Sequence, residues 1–126
     1  MWETSNLGSE DLIWAATAFN GGIASQRDAV CGALSGATIY LGLKHRTRFK
    51  NQELAQKAKD TARQEAARVV QDFKSSYGAL ICQELVGIDF SNPVAVKEYR
   101  DSGKWIDSCS LLVQFVITQL YELEAK

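Results

Sequence analysis

The chain has 126 residues, 46% of them hydrophobic, which is enough apolar material to bury the core of one domain without disulfide support. Its formal charge of -1 excludes the large basic surface that non-specific nucleic-acid binding needs, and its apolar runs are too short to cross a bilayer, so we expect no nucleic-acid partner and no membrane insertion. The N-terminus has no basic flank and no signal-like apolar core, so the sequence predicts a cytoplasmic protein.

Apolar residues recur at helical spacing along the chain, and no segment alternates as a strand would. Cap candidates such as Ser9, Asp28 and Asn92, and breakers such as Gly21-Gly22 and Gly78, divide this pattern into segments. The predicted helices cover about residues 10–19, 28–44, 51–75, 79–86, 94–101 and 107–125. We therefore predict one all-α domain over residues 1–126, a small bundle of about six helices of which two or three are long.

The helix predicted from Asp28 organises the rest of the chain, because one of its sides is nearly free of side-chain bulk. Gly32 and Gly36 are four residues apart on it, and Gly42 is a third interior glycine. Each interior glycine costs about 0.5–1 kcal/mol relative to alanine, so a close contact must offset it. The simpler interpretation is that another helix packs tightly against these glycines. The alternative is that a bound cofactor contacts them, which would make Gly32 and Gly36 cofactor-binding positions.

Three cysteines carry most of the chemistry that the chain offers: Cys31, Cys82 and Cys109. In a reducing compartment an odd number of cysteines suits free thiols, metal ligands or transient redox partners better than a structural disulfide framework. Cys31 and Cys109 fall near predicted helix starts, where unpaired N–H groups favour the thiolate. The three are too far apart in sequence for any local metal-binding pattern, so isolated buried thiols are the alternative interpretation.

The run Cys31-Gly32-Ala33-Leu34-Ser35-Gly36 fits the CGAxxG motif of the C_GCAxxG_C_C family of redox-active proteins. Gly21-Gly22-Ile23 before the motif, Leu41-Gly42-Leu43 after it, the segment from Tyr77 to Gly87 and Cys109 resemble the family's other landmarks, so that the resemblance covers nearly the whole chain. It implies that Cys31, Cys82 and Cys109 are redox positions or ligands of a metal or an iron–sulfur cluster.

The resemblance also implies a fourth cysteine, on a helix before the segment that starts near Ser9. We expect either that this chain lacks that helix or that this member has dropped the ligand, and both would leave a four-thiolate site with one open position. His45 is the one histidine, and it lies roughly 20 Å along the helix from Cys31, too far to complete the site. A bundle without one helix exposes apolar surface, so we expect a homodimer.

Two functions remain open at this point. In the first, the three thiols converge in space. They then bind a metal or an iron–sulfur cluster, or undergo thiol–disulfide exchange, with an electron-transfer protein as partner. In the second, the chain is a non-catalytic helical interaction or structural module that has lost the redox centre. An enzyme acting on a small molecule by acid–base chemistry has little support, because the sequence shows no acid–base pair, phosphate loop or nucleophile elbow.

Overall fold

The computed structural model describes residues 8–47 and 50–126, and these ranges contain six helices. They are α1 (Asp11–Ala16), α2 (Gly32–Lys44), α3 (Gln52–Tyr77), α4 (Cys82–Val86), α5 (Pro93–Asp101) and α6 (Lys104–Glu124). The all-α class and the number of helices are as predicted. None of these helices is both long and apolar enough to cross a membrane.

The three long helices α2, α3 and α6 pack around a shared core. Each contributes apolar side chains three or four residues apart, which places them on one face of their helix. The core residues are Cys31, Leu34, Ala37, Tyr40, Leu41, Val69, Phe73, Leu112, Val116 and Leu120. The short helices α4 and α5 pack against α6, and α1 buries none of its residues.

Local capping explains where several helices begin and end. The side chain of Asn51 accepts a hydrogen bond from the backbone of Leu54 at 3.1 Å, and Gly78 ends α3 in the left-handed conformation with φ of 76°. Asn92 accepts from the N–H groups of the two residues after Pro93, which opens α5. Asn92 and Gly78 lie where the sequence predicts a cap and a helix end, whereas Asn51 was predicted as the start of the helix and not as a cap.

The start of the organising helix differs from the prediction. Helix α2 begins at Gly32, with Cys31 as its N-cap, and not at Asp28. The reason is a short antiparallel pairing: Cys31 N–H donates to the carbonyl of Leu80 at 2.9 Å, and Cys82 N–H donates to that of Ala29 at 3.0 Å. Backbone N–H and C=O groups that form hydrogen bonds between these two segments are not available for hydrogen bonds within a helix. Residues 79–81 are therefore not helical either, and α4 begins only at Cys82.

Three smaller predictions were also wrong. Helix α6 begins at Lys104 instead of residue 107, because Gly103 turns the chain in the left-handed conformation just before it. The side chain of Ser9 makes no cap for α1 and instead donates to the carboxylate of Asp11 at 3.2 Å. On α3, the predicted core position Leu54 is 54% exposed.

Candidate thiol redox site

The antiparallel pairing of residues 29–31 with 80–82 brings two of the cysteines to one place. Val30 and Ile81 are bridge partners, so Cys31 and Cys82, one residue beyond each, are diagonal neighbours on the same face. Such neighbours have Cα atoms about 7–8 Å apart in a regular ladder, just beyond the separation that a disulfide spans. Both thiols are free and buried.

Helix α6 adds the third thiol to the same place. Cys109 is half-buried in the second turn of α6, and together with Cys31 and Cys82 it lines a cleft of about 470 Å³. The rest of the wall comes from the loop before α2, the small residues of α2 and the apolar side chains of α6. These residues are Phe19, Gly21, Gly22, Arg27, Gly32, Ala33, Gly36, Ala37, Tyr40, Leu112, Val113, Val116, Ile117 and Leu120.

One charged side chain faces this cleft, and it lies beside a thiol. The Arg27 Nη1 lies 3.7 Å from Cys82 Sγ, within the range of a hydrogen bond to sulfur. The guanidinium also lies over the ring of Phe90, 4.8 Å from its centre, in a cation–π contact. Gly21 makes room for it, because a Cβ there would lie 2.5 Å from Arg27 Cζ.

The loop that carries Arg27 is held in an uncommon conformation. Ala24 and Ser25 have φ values of 49° and 64°, which side chains other than glycine seldom adopt. Ser25 is hydrogen-bonded to Asn20 through both its backbone N–H and its hydroxyl, at 2.9 and 3.1 Å. The carbonyl of Arg27 accepts from the N–H of Gln83 at 2.8 Å, so the loop is also tied to the start of α4. These contacts fix the guanidinium next to Cys82.

The electrostatics of Cys31 differ from the expectation. Burial raises the pKa of the Cys31 thiol, and negative charge on Cys82 or Cys109 raises this pKa further. Hydrogen bonds from the backbone N–H groups of Ala33 and Leu34, at the start of α2, lower it but do not outweigh burial. The helix start thus acts on this thiol as predicted, but desolvation, which the sequence does not show, is the larger effect.

The pKa of Cys109 is also raised, and burial is again the largest cause. Because α6 begins at Lys104, its unpaired N–H groups lie about one turn before Cys109, too far along the helix to favour the thiolate. Burial raises the pKa of Cys109, negative charge on Cys82 adds to the rise, and the charge of Arg27 opposes it. The predicted lowering of the pKa is therefore wrong for both thiols.

Comparison with protein families adds a finding that is independent of this geometry. The family model described as "Putative redox-active protein (C_GCAxxG_C_C)" matches residues 1–123. The chain belongs to this family. No curated protein and no solved structure matched it.

The CGAxxG motif of this C_GCAxxG_C_C protein has a different role for each glycine. A Cβ on Gly32 would lie 2.2 Å from the carbonyl oxygen of Phe19, so this glycine lets a loop, and not a helix, approach closely. A Cβ on Gly36 would have no neighbour within 4 Å, and this position forms part of the cleft wall. The interpretation of the motif as a tight helix-packing surface is therefore wrong at Gly36.

Sequence reasoning missed Arg27, the charged residue of the site. It lies in a segment that the sequence marks only as a connection between two helices. The nearby pair Gly21-Gly22 was a signal of unusual backbone, but it did not indicate which side chain the loop would present.

The described residues contain no group of three His, Cys, Asp or Glu side chains arranged to hold a metal ion. The three thiols share a cleft without forming such a ligand set, and thus do not fit a metal or cluster in the positions they occupy. His45 does not contribute to the cleft, since its Nε2 lies 2.7 Å from Glu65 Oε2 at the opposite end of α2.

A second cleft of about 500 Å³ lies between the end of α2 and α3, away from the thiols. Small residues, among them Gly42, Ala58 and Ala62, form much of its wall. None of the three cysteines lines this second cleft, so it offers no thiol for redox chemistry.

Proposed function

We propose that this chain is a small thiol redox protein in which Cys82 exchanges with a disulfide bound in the cleft. One observation carries the proposal: three free thiols line a single cleft, and the guanidinium of Arg27 lies 3.7 Å from Cys82 Sγ. The guanidinium thus places a positive charge beside a sulfur that, as a thiolate, is the nucleophile in thiol–disulfide exchange. Of the three sulfurs, Cys82 is the one with a hydrogen bond from Arg27.

In the first step the Cys82 thiolate attacks one sulfur of the disulfide. A new S–S bond forms between Cys82 and that sulfur, the original S–S bond breaks, and the leaving sulfur departs as a thiolate that takes up a proton from solvent. The protein now holds a mixed disulfide, and no external oxidant or reductant is consumed.

In the second step Cys31 resolves the mixed disulfide. Once Cys82 is bonded to another sulfur it no longer carries negative charge, so one of the causes that raise the pKa of Cys31 is removed. Cys31 then loses its proton to solvent and attacks Cys82, forming a Cys31–Cys82 disulfide and releasing the second product thiol. Closing this bond requires residues 29–31 and 80–82 to move closer together, because diagonal neighbours lie just beyond the separation that a disulfide spans. The bound disulfide is reduced to two thiols, and the two cysteines are oxidised by the same two electrons.

The test follows the reaction of the reduced protein with dithionitrobenzoate, an aromatic disulfide whose product thiolate is coloured. We expect Cys82→Ser to remove the fast reaction. Cys31→Ser should release one product thiolate per reacting protein and retain a mixed disulfide at Cys82, which peptide mass spectrometry would identify. Cys109→Ser is the matched control and should react as the unchanged protein does. Fast reaction of Cys82→Ser, or a mixed disulfide mapped elsewhere, would contradict the proposal.

A metal or iron–sulfur centre at Cys31, Cys82 and Cys109 is the competing proposal, and the loss of any redox centre is another. The first requires the sulfurs to move from their present positions, since the residues that the structure describes form no group of ligands that could hold a metal. Protein purified without oxygen that contains iron and sulfide in stoichiometric amounts would favour the centre over thiol exchange. Unchanged stability on replacing all three cysteines, without reaction of the parent protein toward disulfides, would favour the structural module.

Return of the oxidised protein to its dithiol form needs a reductant, and we propose that an electron-transfer protein or a cellular thiol in the cytoplasm supplies it. A homodimer is part of the same proposal. Support for it comes from the outer side of α6, where large apolar residues are about half exposed, among them Ile106, Leu111 and Tyr121.

A further inference from the structure

The cleft of the thiol site has one charged residue on an otherwise apolar wall. Arg27 lies at the end formed by the loop before α2, whereas the wall along α6 consists of Cys109 and of leucine, valine and isoleucine side chains. No aspartate or glutamate is among the lining residues that the structure describes. A molecule that fits such a surface has an apolar body and one anionic group.

The guanidinium retains hydrogen-bonding capacity toward such a group. It has five N–H donors, and in the described residues its one hydrogen-bond acceptor is Cys82 Sγ. No carboxylate of the described residues forms an ion pair with it. Its planar fork suits the two oxygens of a carboxylate or two of a sulfonate, and the contact with Phe90 holds its orientation.

The volume and the shape of the cleft also suit a small organic molecule. About 470 Å³ lies within the range of small-molecule sites in proteins, roughly 300–1,000 Å³. The α2 side of the cleft is nearly flat at Gly36 and Ala33, and a Cβ on Gly36 would point into open space. A flat apolar group can therefore lie against α2 with its anionic end at Arg27.

From these observations we infer that the cleft binds a small organic anion with an apolar body, held at Arg27 and seated against Gly36. The inference also identifies the partner in disulfide exchange, and for that it rests on the proposed function. The substrate is then an anionic, low-molecular-weight disulfide and not a protein disulfide. Arg27 then has two roles, since it holds the anionic group and directs the neighbouring S–S bond toward Cys82.

The test uses two unreactive dyes that differ by one anionic sulfonate group, anilinonaphthalene sulfonate and its uncharged parent N-phenylnaphthylamine, titrated by fluorescence. Arg27→Gln should weaken binding of the sulfonate about tenfold and leave the uncharged dye unaffected, because it removes one charge-assisted contact. Gly36→Leu should abolish binding of both dyes by filling the cleft. Gly42→Leu is the matched control, because Gly42 lies on the same helix, is equally open and lines the other cleft.

Equal loss of both dyes in Arg27→Gln, or unchanged binding in Gly36→Leu, would overturn the inference. Circular dichroism melting of each variant identifies any loss of fold. Dye binding is measured by fluorescence without any change in the thiols, and disulfide exchange by the release of the product thiolate, so the two are separate measurements. If exchange occurs without selective dye binding, the inference of an anion site fails and the proposed function stands. If selective dye binding occurs without exchange, the anion site stands and the proposed function fails.

Discussion

The side chains of Arg27 and Cys82 are in contact, with 3.7 Å between Nη1 and Sγ, although 55 residues separate them in the chain. The contact depends on two backbone features: the strained loop that carries Arg27 and the short pairing of residues 29–31 with 80–82. Both are long-range or irregular, and neither lies within a long helix. The proposed reactivity of Cys82 therefore depends on the geometry of this loop.

The first prediction concerns alkylation of Cys82. Arg27→Gln should slow its reaction with iodoacetate about tenfold at neutral pH and slow its reaction with uncharged iodoacetamide less, because the guanidinium beside Cys82 Sγ attracts the anionic reagent. Peptide mass spectrometry of the modified cysteine gives both rates. Arg100→Gln, on the exposed side of α5, is the control and should leave both rates unchanged. An equal change with both reagents would contradict the attraction of the anionic reagent by Arg27.

A second prediction compares the two glycines of the CGAxxG motif. Gly32→Ala should destabilise the fold by about 1–3 kcal/mol, because its Cβ would meet the carbonyl oxygen of Phe19 at 2.2 Å. Gly36→Ala should stabilise it by about 0.5–1 kcal/mol, since the new methyl meets nothing within 4 Å and alanine is the better helix former. Urea unfolding of the two variants provides the measurement. Equal effects would show that the two positions share one environment.

The elements that the sequence predicted well are those fixed by local interactions. The length of α3 follows from its apolar periodicity together with Asn51 and Gly78 at its two ends, and α5 follows from Asn92 before Pro93. The predicted convergence of distant thiols depended on the family resemblance, since their spacing in the chain carries no such information.

The predictions that failed depend on contacts between distant residues. Asp28 to Cys31 is compatible with a helix in isolation, but its backbone pairs with residues 80–82, which no local pattern signals. The pKa of Cys31 is raised because the folded chain buries the thiol, and burial is set by residues on other helices. Arg27 was missed for the same reason, since its role is defined by a cysteine on another segment.

A third prediction follows from the raised pKa of Cys31. The folded state holds this proton more tightly than the unfolded state does, so the stabilisation is fully present below the ordinary thiol pKa of about 8.5 and is lost as the pH rises through the higher folded value. The free energy of unfolding of the reduced protein should therefore fall in alkaline solution. Urea titrations of Cys31→Ala should show a shallower fall with pH, whatever the change in absolute stability. An identical slope in this variant would contradict the assignment.

The fourth prediction concerns Glu65, which joins α3 to the end of α2. Its carboxylate lies 2.7 Å from His45 Nε2 and 3.3 Å from Lys44 Nζ. Burial alone would raise the pKa of Glu65, but the hydrogen bond and charge of His45, together with Lys44, outweigh it and lower this pKa. Glu65→Gln should cost about 0.5–1 kcal/mol at neutral pH, because the three side chains are only partly exposed.

The sign of the pH effect at Glu65 is opposite to that at Cys31. Since the folded pKa is lowered, the stabilisation is present above the ordinary glutamate pKa of about 4.3 and is lost as the pH falls through the folded value. Acid unfolding followed by circular dichroism should show a smaller pH dependence in Glu65→Gln than in the parent. Glu98→Gln, on the exposed side of α5, should keep the parent's dependence.

The fifth prediction tests the homodimer through α6. Ile106 and Val113 are seven residues apart, which places them on one side of the helix, and they are 52% and 44% exposed. If a second copy covers this side, light scattering at micromolar concentration should give twice the mass of the chain, and Ile106→Lys should reduce it to the mass of one chain, because a lysine charge is costly to bury in an apolar interface.

Val94→Lys is the control for that experiment. Val94 is 65% exposed on α5, so a general effect of added charge on an apolar position would appear there as well. A dimer that persists in Ile106→Lys but dissociates in Val94→Lys would move the interface to α5. Because Val113 also lines the cleft, an interface on α6 would cover part of its rim, and the alkylation rate of Cys109 should then rise when Ile106→Lys separates the two copies.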